Sequence, residues 1–281
     1  MFERQHTKSI RVSVWLVIAA ALAFQVSVAQ ATLIHDYNFA VSGTTADSVG
    51  GSTYNGTLNG TATVTAGQGL VLDGDASGYL SLPTGANSVL PSNPNVTSVT
   101  IEAWFKTAGE NTSPSWSRLF DLGSYVPSQS IGYNSVDFAP FVNTSPVVAW
   151  ATLTKQGPWW HTGGTEADVS SELWLTDGNT HHVAVQLNQV GSDIQMQMST
   201  DNVVRGTSTL SNQSLSTIAW DTTDGVSLGN YLGKDFWGYG NFAGTISEFK
   251  VSATTTPEPG VLVLLISGLP ALLAYAWRKR R

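Results

Sequence analysis

Val99-Thr100-Ile101-Glu102-Ala103-Trp104-Phe105-Lys106 is the stretch that decides the fold class. Val99, Ile101, Ala103 and Phe105 recur at every second position, and successive side chains of a strand point to opposite faces, so the four line the buried face of a β-strand. The same period of two runs through His182-Val183-Ala184-Val185-Gln186-Leu187 and Ile194-Gln195-Met196-Gln197-Met198. Near the end, Ile246, Glu248 and Lys250 alternate with Ser247, Phe249 and Val251. Turn pairs punctuate these runs at Gly50-Gly51, Asn55-Gly56, Asn59-Gly60, Asp73-Gly74 and Asp177-Gly178. Many short strands between turn signals predict an all-β domain, a two-sheet antiparallel sandwich or a barrel.

Outward from this body, both ends change character. Arg4, Lys8 and Arg11 precede an apolar run from Val12 to Val28 and then Ala29-Gln30-Ala31. A basic start, an apolar middle and small residues at −3 and −1 make residues 1–31 a secretory signal helix with cleavage expected after Ala31. At the other end, Thr254-Thr255-Thr256 links the body to Pro257-Glu258-Pro259, an apolar stretch over 260–277, and the basic end 278–281. Eighteen helical residues at 1.5 Å each reach about 27 Å, enough for a transmembrane helix. The terminal cations resist translocation, which leaves the body outside the cytoplasm.

The order of Pro-Glu-Pro, apolar helix and basic cluster resembles the PEP-CTERM sorting signal. That resemblance implies a Gram-negative-type bacterium whose exosortase reads Pro257, Glu258 and Pro259 after signal peptidase has acted. The product is then expected to cross the inner membrane, to be held transiently by its C-terminal helix, and to reach the cell surface or extracellular matrix.

Between the ends, about 225 residues suit one sandwich with its own core. There is no cysteine, so that core folds without disulfides. The body holds six cations against 18 acids, a net −12, which argues against a nucleic-acid partner. Six Asn-x-Ser/Thr triplets begin at Asn55, Asn59, Asn95, Asn111, Asn143 and Asn212, a weak glycan-acceptor signal in so Asn- and Thr-rich a chain.

Several blocks, in order, carry a second resemblance. Leu33 to Phe39 is similar to the first strand of the laminin-G-like, concanavalin-A-like lectin/glucanase family. Asp47-Ser48-Val49-Gly50 with Asn55-Gly56-Thr57-Leu58, then Gly69 to Gly74 with Tyr79 to Pro83, resemble the blocks that follow it. Thr100 to Phe105, Arg118 to Gly123, His181 to Val185 and Phe242 to Phe249 complete the series. The resemblance implies a jelly-roll sandwich over residues 32–253, with the sorting tail at 254–281. Thr180 and Ser247 depart from the family pattern, which often has Trp and Asp there. The resemblance also implies one structural Ca²⁺, for which Asp47, Asp73 and Glu248 are the candidate metal ligands; the competing reading has Asp47 and Asp73 closing Asx turns.

Catalytic chemistry is not encoded in a recognisable form. The Glu-x-Asp-x-Glu strand of glucanases with this fold is absent, as are a cysteine nucleophile, a Gly-x-Ser-x-Gly elbow and a phosphate loop. His181 and His182 are adjacent in a strand, point to opposite faces, and therefore read as packing residues. Trp159 and Trp160 after Gly157-Pro158, and Trp237 and Tyr239 among glycines, are the candidate ligand-binding residues, because exposed rings stack on sugar faces. The expectation is an exported, cell-surface or exopolysaccharide-associated module, not an enzyme, that binds carbohydrate or adheres. The alternatives are a glycoside hydrolase or lyase of the same fold, and a purely structural matrix protein.

Overall fold

The computed structural model describes residues 29–108, 114–142, 147–158, 160–215, 218, 220, 226–256 and 278–279. Residues 1–28 of the expected signal segment 1–31, Trp159, the Pro-Glu-Pro motif 257–259 and the apolar segment 260–277 lie outside the described residues. Among the described residues no helix is long and apolar enough to cross a membrane. Ala31–Thr255 forms a compact unit by itself.

That unit is a two-sheet antiparallel sandwich. One sheet runs in the order β13 (Val203–Leu210), β12 (Asp193–Thr200), β11 (His181–Val190), β6 (Val96–Thr107), β15 (Ala243–Thr255), β4 (Gly69–Asp73) and β3 (Thr63–Thr65). β1 (Thr32–Tyr37) joins the same sheet by pairing with the later half of β15, beyond the stretch that pairs with β4. The other sheet runs β10 (Thr165–Glu172), β9 (Val148–Lys155), β8 (Ile131–Val142), β7 (Phe120–Val126), β14 (Ser227–Leu232), β5 (Tyr79–Ser81) and β2 (Thr57–Asn59). Every paired neighbour is antiparallel.

The core contains the residues anticipated from the period of two in β6, β11 and β12. Val99, Ile101, Ala103 and Phe105 of β6, with Val183, Val185 and Leu187 of β11 and the two methionines of β12, face Phe120, Leu122, Val136 and Phe138 of the second sheet. Phe105 meets Phe138 and Phe120 meets Phe249 across the gap, each at 6.1 Å between ring centroids. Each such ring contributes about 1.5–3 kcal/mol by leaving water.

One local expectation is overturned. The alternation placed Ile246 with Glu248 and Lys250, opposite Phe249 and Val251. A register shift between Ile246 and Glu248 inserts one extra residue, so Ile246 is buried with Phe249 and Val251, and Ser247 is exposed at the irregularity. A bulge of this kind switches the face a side chain occupies without ending the strand.

Candidate functional site

The two sheets treat their outer faces differently. On the second sheet the outward row is Tyr231, Asp121, Asp137, Thr152 and Asp168, paired in register across β14, β7, β8, β9 and β10. The neighbouring row, Leu122, Val136, Leu153 and Ala167, points into the core. The outer row is nevertheless closed from solvent over β7 and β8: Asp121 and Asp137 are 0% exposed and Arg118 3%. Gly123 lies in β7 at φ +124°, where any side chain would run into the Asn134 carbonyl of β8, so only glycine lets the two strands meet there.

The cover is the segment 233–241 between β14 and β15. Asp121 Oδ2 accepts the Phe236 N–H at 2.9 Å, and Asp235 accepts the N–H groups of Gly238 and Tyr239 at 3.2 and 2.6 Å. Phe236 stacks on Tyr125 at 4.6 Å with a 7° tilt. Asn241 ties the far end by donating to the carbonyls of Asp75 and Gly78.

Beneath this cover Arg118 pairs with Asp137, Nε to Oδ1 2.7 Å, and donates from Nη1 to the Trp116 carbonyl. Its guanidinium lies over the Trp116 ring at 5.5 Å and the Trp237 ring at 6.0 Å. Three carboxyl groups, Asp121, Asp137 and Asp235, therefore surround one cation, and Asp121 Oδ1 has no hydrogen-bond partner. Burial, reinforced by the Asp137 charge and opposed by Arg118, holds the Asp121 carboxyl well above the usual range. Burial pushes Asp137 up to about 6, against Arg118 and with Asp168 and Asp235 assisting. Burial also raises Asp235, against the N–H of Tyr239 and the charge of Arg118. The pair Asp121–Asp137 thus holds a proton into the weakly acidic range, as facing carboxyls do when desolvated together.

Above the cation lies an aromatic surface. Trp116 contacts Trp150 at 5.5 Å and Tyr239 at 5.9 Å between ring centroids. Trp150 donates from Nε1 to Asp168 and Thr152, which fixes its plane. Trp116 has φ +71°, an uncommon backbone for a bulky residue, and such strain concentrates where a side chain must be aimed. Tyr239 is 50% exposed, and Trp116 and Trp150 are half-buried.

No protein-family model and no curated protein matches this chain. Among solved structures, it is similar to an endo-1,3-beta-glucanase from Streptomyces sioyaensis, 16% identical over 80% of this chain and 97% of that one, with a TM-score of 0.48. It is also similar to the CBM40 of Ruminococcus gnavus IT-sialidase bound to alpha2,3 sialyllactose, at 15% identity over 61% of this chain and 83% of that one, TM-score 0.41. Arcelin-5, a lectin-like defense protein from Phaseolus vulgaris, matches at 13% identity over 81% of this chain and all of its own, TM-score 0.41. At these identities the likeness is one of fold.

The residues singled out from sequence are dispersed. Trp237 and Tyr239 join the covered face, the first half-buried over Arg118 and the second exposed beside Trp116. Trp160 is 55% exposed on the β9–β10 loop, whose His161 meets Tyr133 edge-on at 6.2 Å. The three metal candidates do not come together, and among the described residues no three His, Asp or Glu side chains gather to hold an ion. Asp47 is buried and accepts the N–H groups of Asp36, Val49 and Gly50 on Oδ1 and His35 on Oδ2, so both oxygens face donors. Asp73 accepts from Thr61 and from the N–H of Asp75, an Asx turn, and Glu248 pairs with Lys250 at 2.7 Å. Asp47 is filled by donors, and Asp73 and Glu248 are each engaged elsewhere, so the three do not form one ligand set.

Sequence reasoning missed Trp116, Trp150, Arg118, Asp121, Asp137 and Asp235. A signal was present: Leu119-Phe120-Asp121-Leu122 and Val136-Asp137-Phe138-Ala139 each set an acid among apolar residues in strands covered on both faces.

Proposed function

We propose that the chain is an exported, non-catalytic carbohydrate-binding or adhesive module of the cell surface or exopolysaccharide, and that Trp116, Trp150 and Tyr239 form its sugar-contacting surface. The carrying observation is that run of three rings, held from below by Arg118 and at the side by Asp168. Pyranose rings offer apolar C–H faces to such a surface and hydroxyl edges to the polar groups beside it. Residues 1–31 and the Pro257-Glu258-Pro259 tail supply export and exosortase sorting in this reading, and the acidic body supports a neutral partner rather than a polyanion.

A second reading, glycoside hydrolysis, is favoured by the facing Asp121–Asp137 pair, whose retained proton suits acid–base work. Both carboxyls are wholly covered by the 233–241 segment and engaged with its backbone or with Arg118, which supports binding over catalysis.

Affinity electrophoresis of the sandwich through polysaccharide gels tests the binding reading. Retardation by at least one polysaccharide, weakened about tenfold by Trp116→Ala, is expected; that factor corresponds to about 1.4 kcal/mol. Release of reducing sugar that vanishes in Asp137→Asn would reverse the ranking of the two readings.

A further inference from the structure

A cavity lies away from the aromatic surface, between β1 and the segment 85–93. It is open to solvent and holds about 460 Å³, within the range of small-ligand sites, and its walls divide by chemistry. Ile34, Leu90 and Pro91 are apolar; His35, Ser92 and Asn93 are polar, and no cation or free carboxylate lines it.

His35 is built into this cavity with unusual care. Its ring packs on Tyr54 at 4.5 Å, and its Nδ1 lies 2.5 Å from Asp47 Oδ2. Asp47 Oδ1 receives the backbone N–H groups of Asp36, Val49 and Gly50 at 2.8–3.0 Å. A carboxylate so supplied with donors is ionised and can only accept, so the shared proton belongs to His35 Nδ1. Among the described residues no hydrogen bond engages the other ring nitrogen, Nε2. Gly50 is required by the same arrangement, because any side chain there would collide with the Asp47 carboxylate and the His35 ring.

We infer that this cavity is a binding site for a neutral polyhydroxyl ligand, a single glycosyl unit or polyol, with a hydroxyl hydrogen-bonded to His35 Nε2 and the C–H face against Leu90 and Pro91. The amphipathic walls match such a ligand, and the missing cation disfavours an anionic one. The two sites share no residue, so this one stands whether or not the aromatic surface binds sugar.

The test is an NMR titration of the sandwich with the methyl glycosides of glucose, galactose, mannose and N-acetylglucosamine in turn. At least one is expected to shift the His35 ring signals and the Ser92 and Asn93 amides along one saturable curve. His35→Asn retains a donor for Asp47 but places no polar atom where Nε2 stood, and is expected to weaken binding at least tenfold. Ser92→Trp, at an exposed position outside the core, fills the cavity and is expected to abolish the curve even if His35→Asn fails to fold. No shift at His35 with any probe, a curve unchanged by Ser92→Trp, or a curve lost in Trp116→Ala would each overturn the assignment.

Discussion

The outer faces of the two sheets show what a cover does to a sheet. On the first sheet the face is open. Trp104 stacks on His182 at 4.2 Å and takes Lys250 over its ring at 4.9 Å, His182 meets Glu102 at 3.1 Å, and all are half-exposed. Pairs in that setting trade water for one another and gain little. On the second sheet, Arg118 and Asp137 meet at 2.7 Å with 3% and 0% of their side chains exposed, under Phe236 and Trp237. There the same kind of pair has no solvent to fall back on, and each partner depends on the other.

Truncation separates the faces most sharply. Arg118→Ala is expected to cost about 3–5 kcal/mol in urea unfolding, because it strands three buried carboxyl groups, whereas Lys250→Ala on the open face is expected to cost about 0–1 kcal/mol. Equal losses would mean the cover isolates nothing. Next in size, Gly123→Ala is expected to cost about 1–3 kcal/mol through strain at φ +124° and the contact with the Asn134 carbonyl.

Protons give a subtler contrast. The carboxyl groups of Asp121, Asp137 and Asp235 have folded-state pKa values raised above their unfolded ones. Their contribution is complete below about pH 4, where the unfolded chain is also protonated. The Asp137 share is lost as pH rises through about 6. His181 acts in the same direction: burial opposes its cation, but Asp201 and Asp177 raise it. The melting temperature is therefore expected to fall between about pH 5 and 8. Asp121→Asn mimics the protonated carboxyl, so it should flatten that fall while changing stability at pH 5 by no more than about 1 kcal/mol. An unchanged slope in Asp121→Asn would place the proton elsewhere. Smallest of all, Glu102→Gln on the open face is expected to shift stability by about 0.5 kcal/mol or less at any of these pH values.

The same contrast explains what could be read in the sequence. Open strands keep the period of two because one face meets the core and the other meets water, so β6, β11 and β12 were legible from Val99 to Phe105, His182 to Leu187 and Ile194 to Met198. Strands β7 and β8 are buried on both faces, their pattern is nearly continuous, and Asp121 and Asp137 carry no periodic mark. Ile246 was misassigned because a bulge leaves no trace in composition. The hairpin at Asp201-Asn202 turns on two non-glycine residues at φ +51° and +62°, outside the usual turn pairs. Tyr239 and Trp237 stand out in the sequence through their glycine-rich setting, while Trp116 and Trp150 needed the fold to bring them together from segments 34 residues apart. Asp47 stands out in the sequence through its turn, while its neighbours from β1 in the fold, the Asp36 N–H and a histidine, come from a segment the sequence does not link to it.

Binding to polysaccharide gels by matched aromatic deletions on the two faces tests the central claim most directly. Trp116→Ala on the covered sheet and Trp104→Ala on the open sheet each remove one indole from the same sandwich. Retardation lost about tenfold in the first and retained in the second is the expected result. Equal loss in both, or retention in Trp116→Ala with loss in Trp104→Ala, would contradict the assignment of the ligand surface to Trp116, Trp150 and Tyr239.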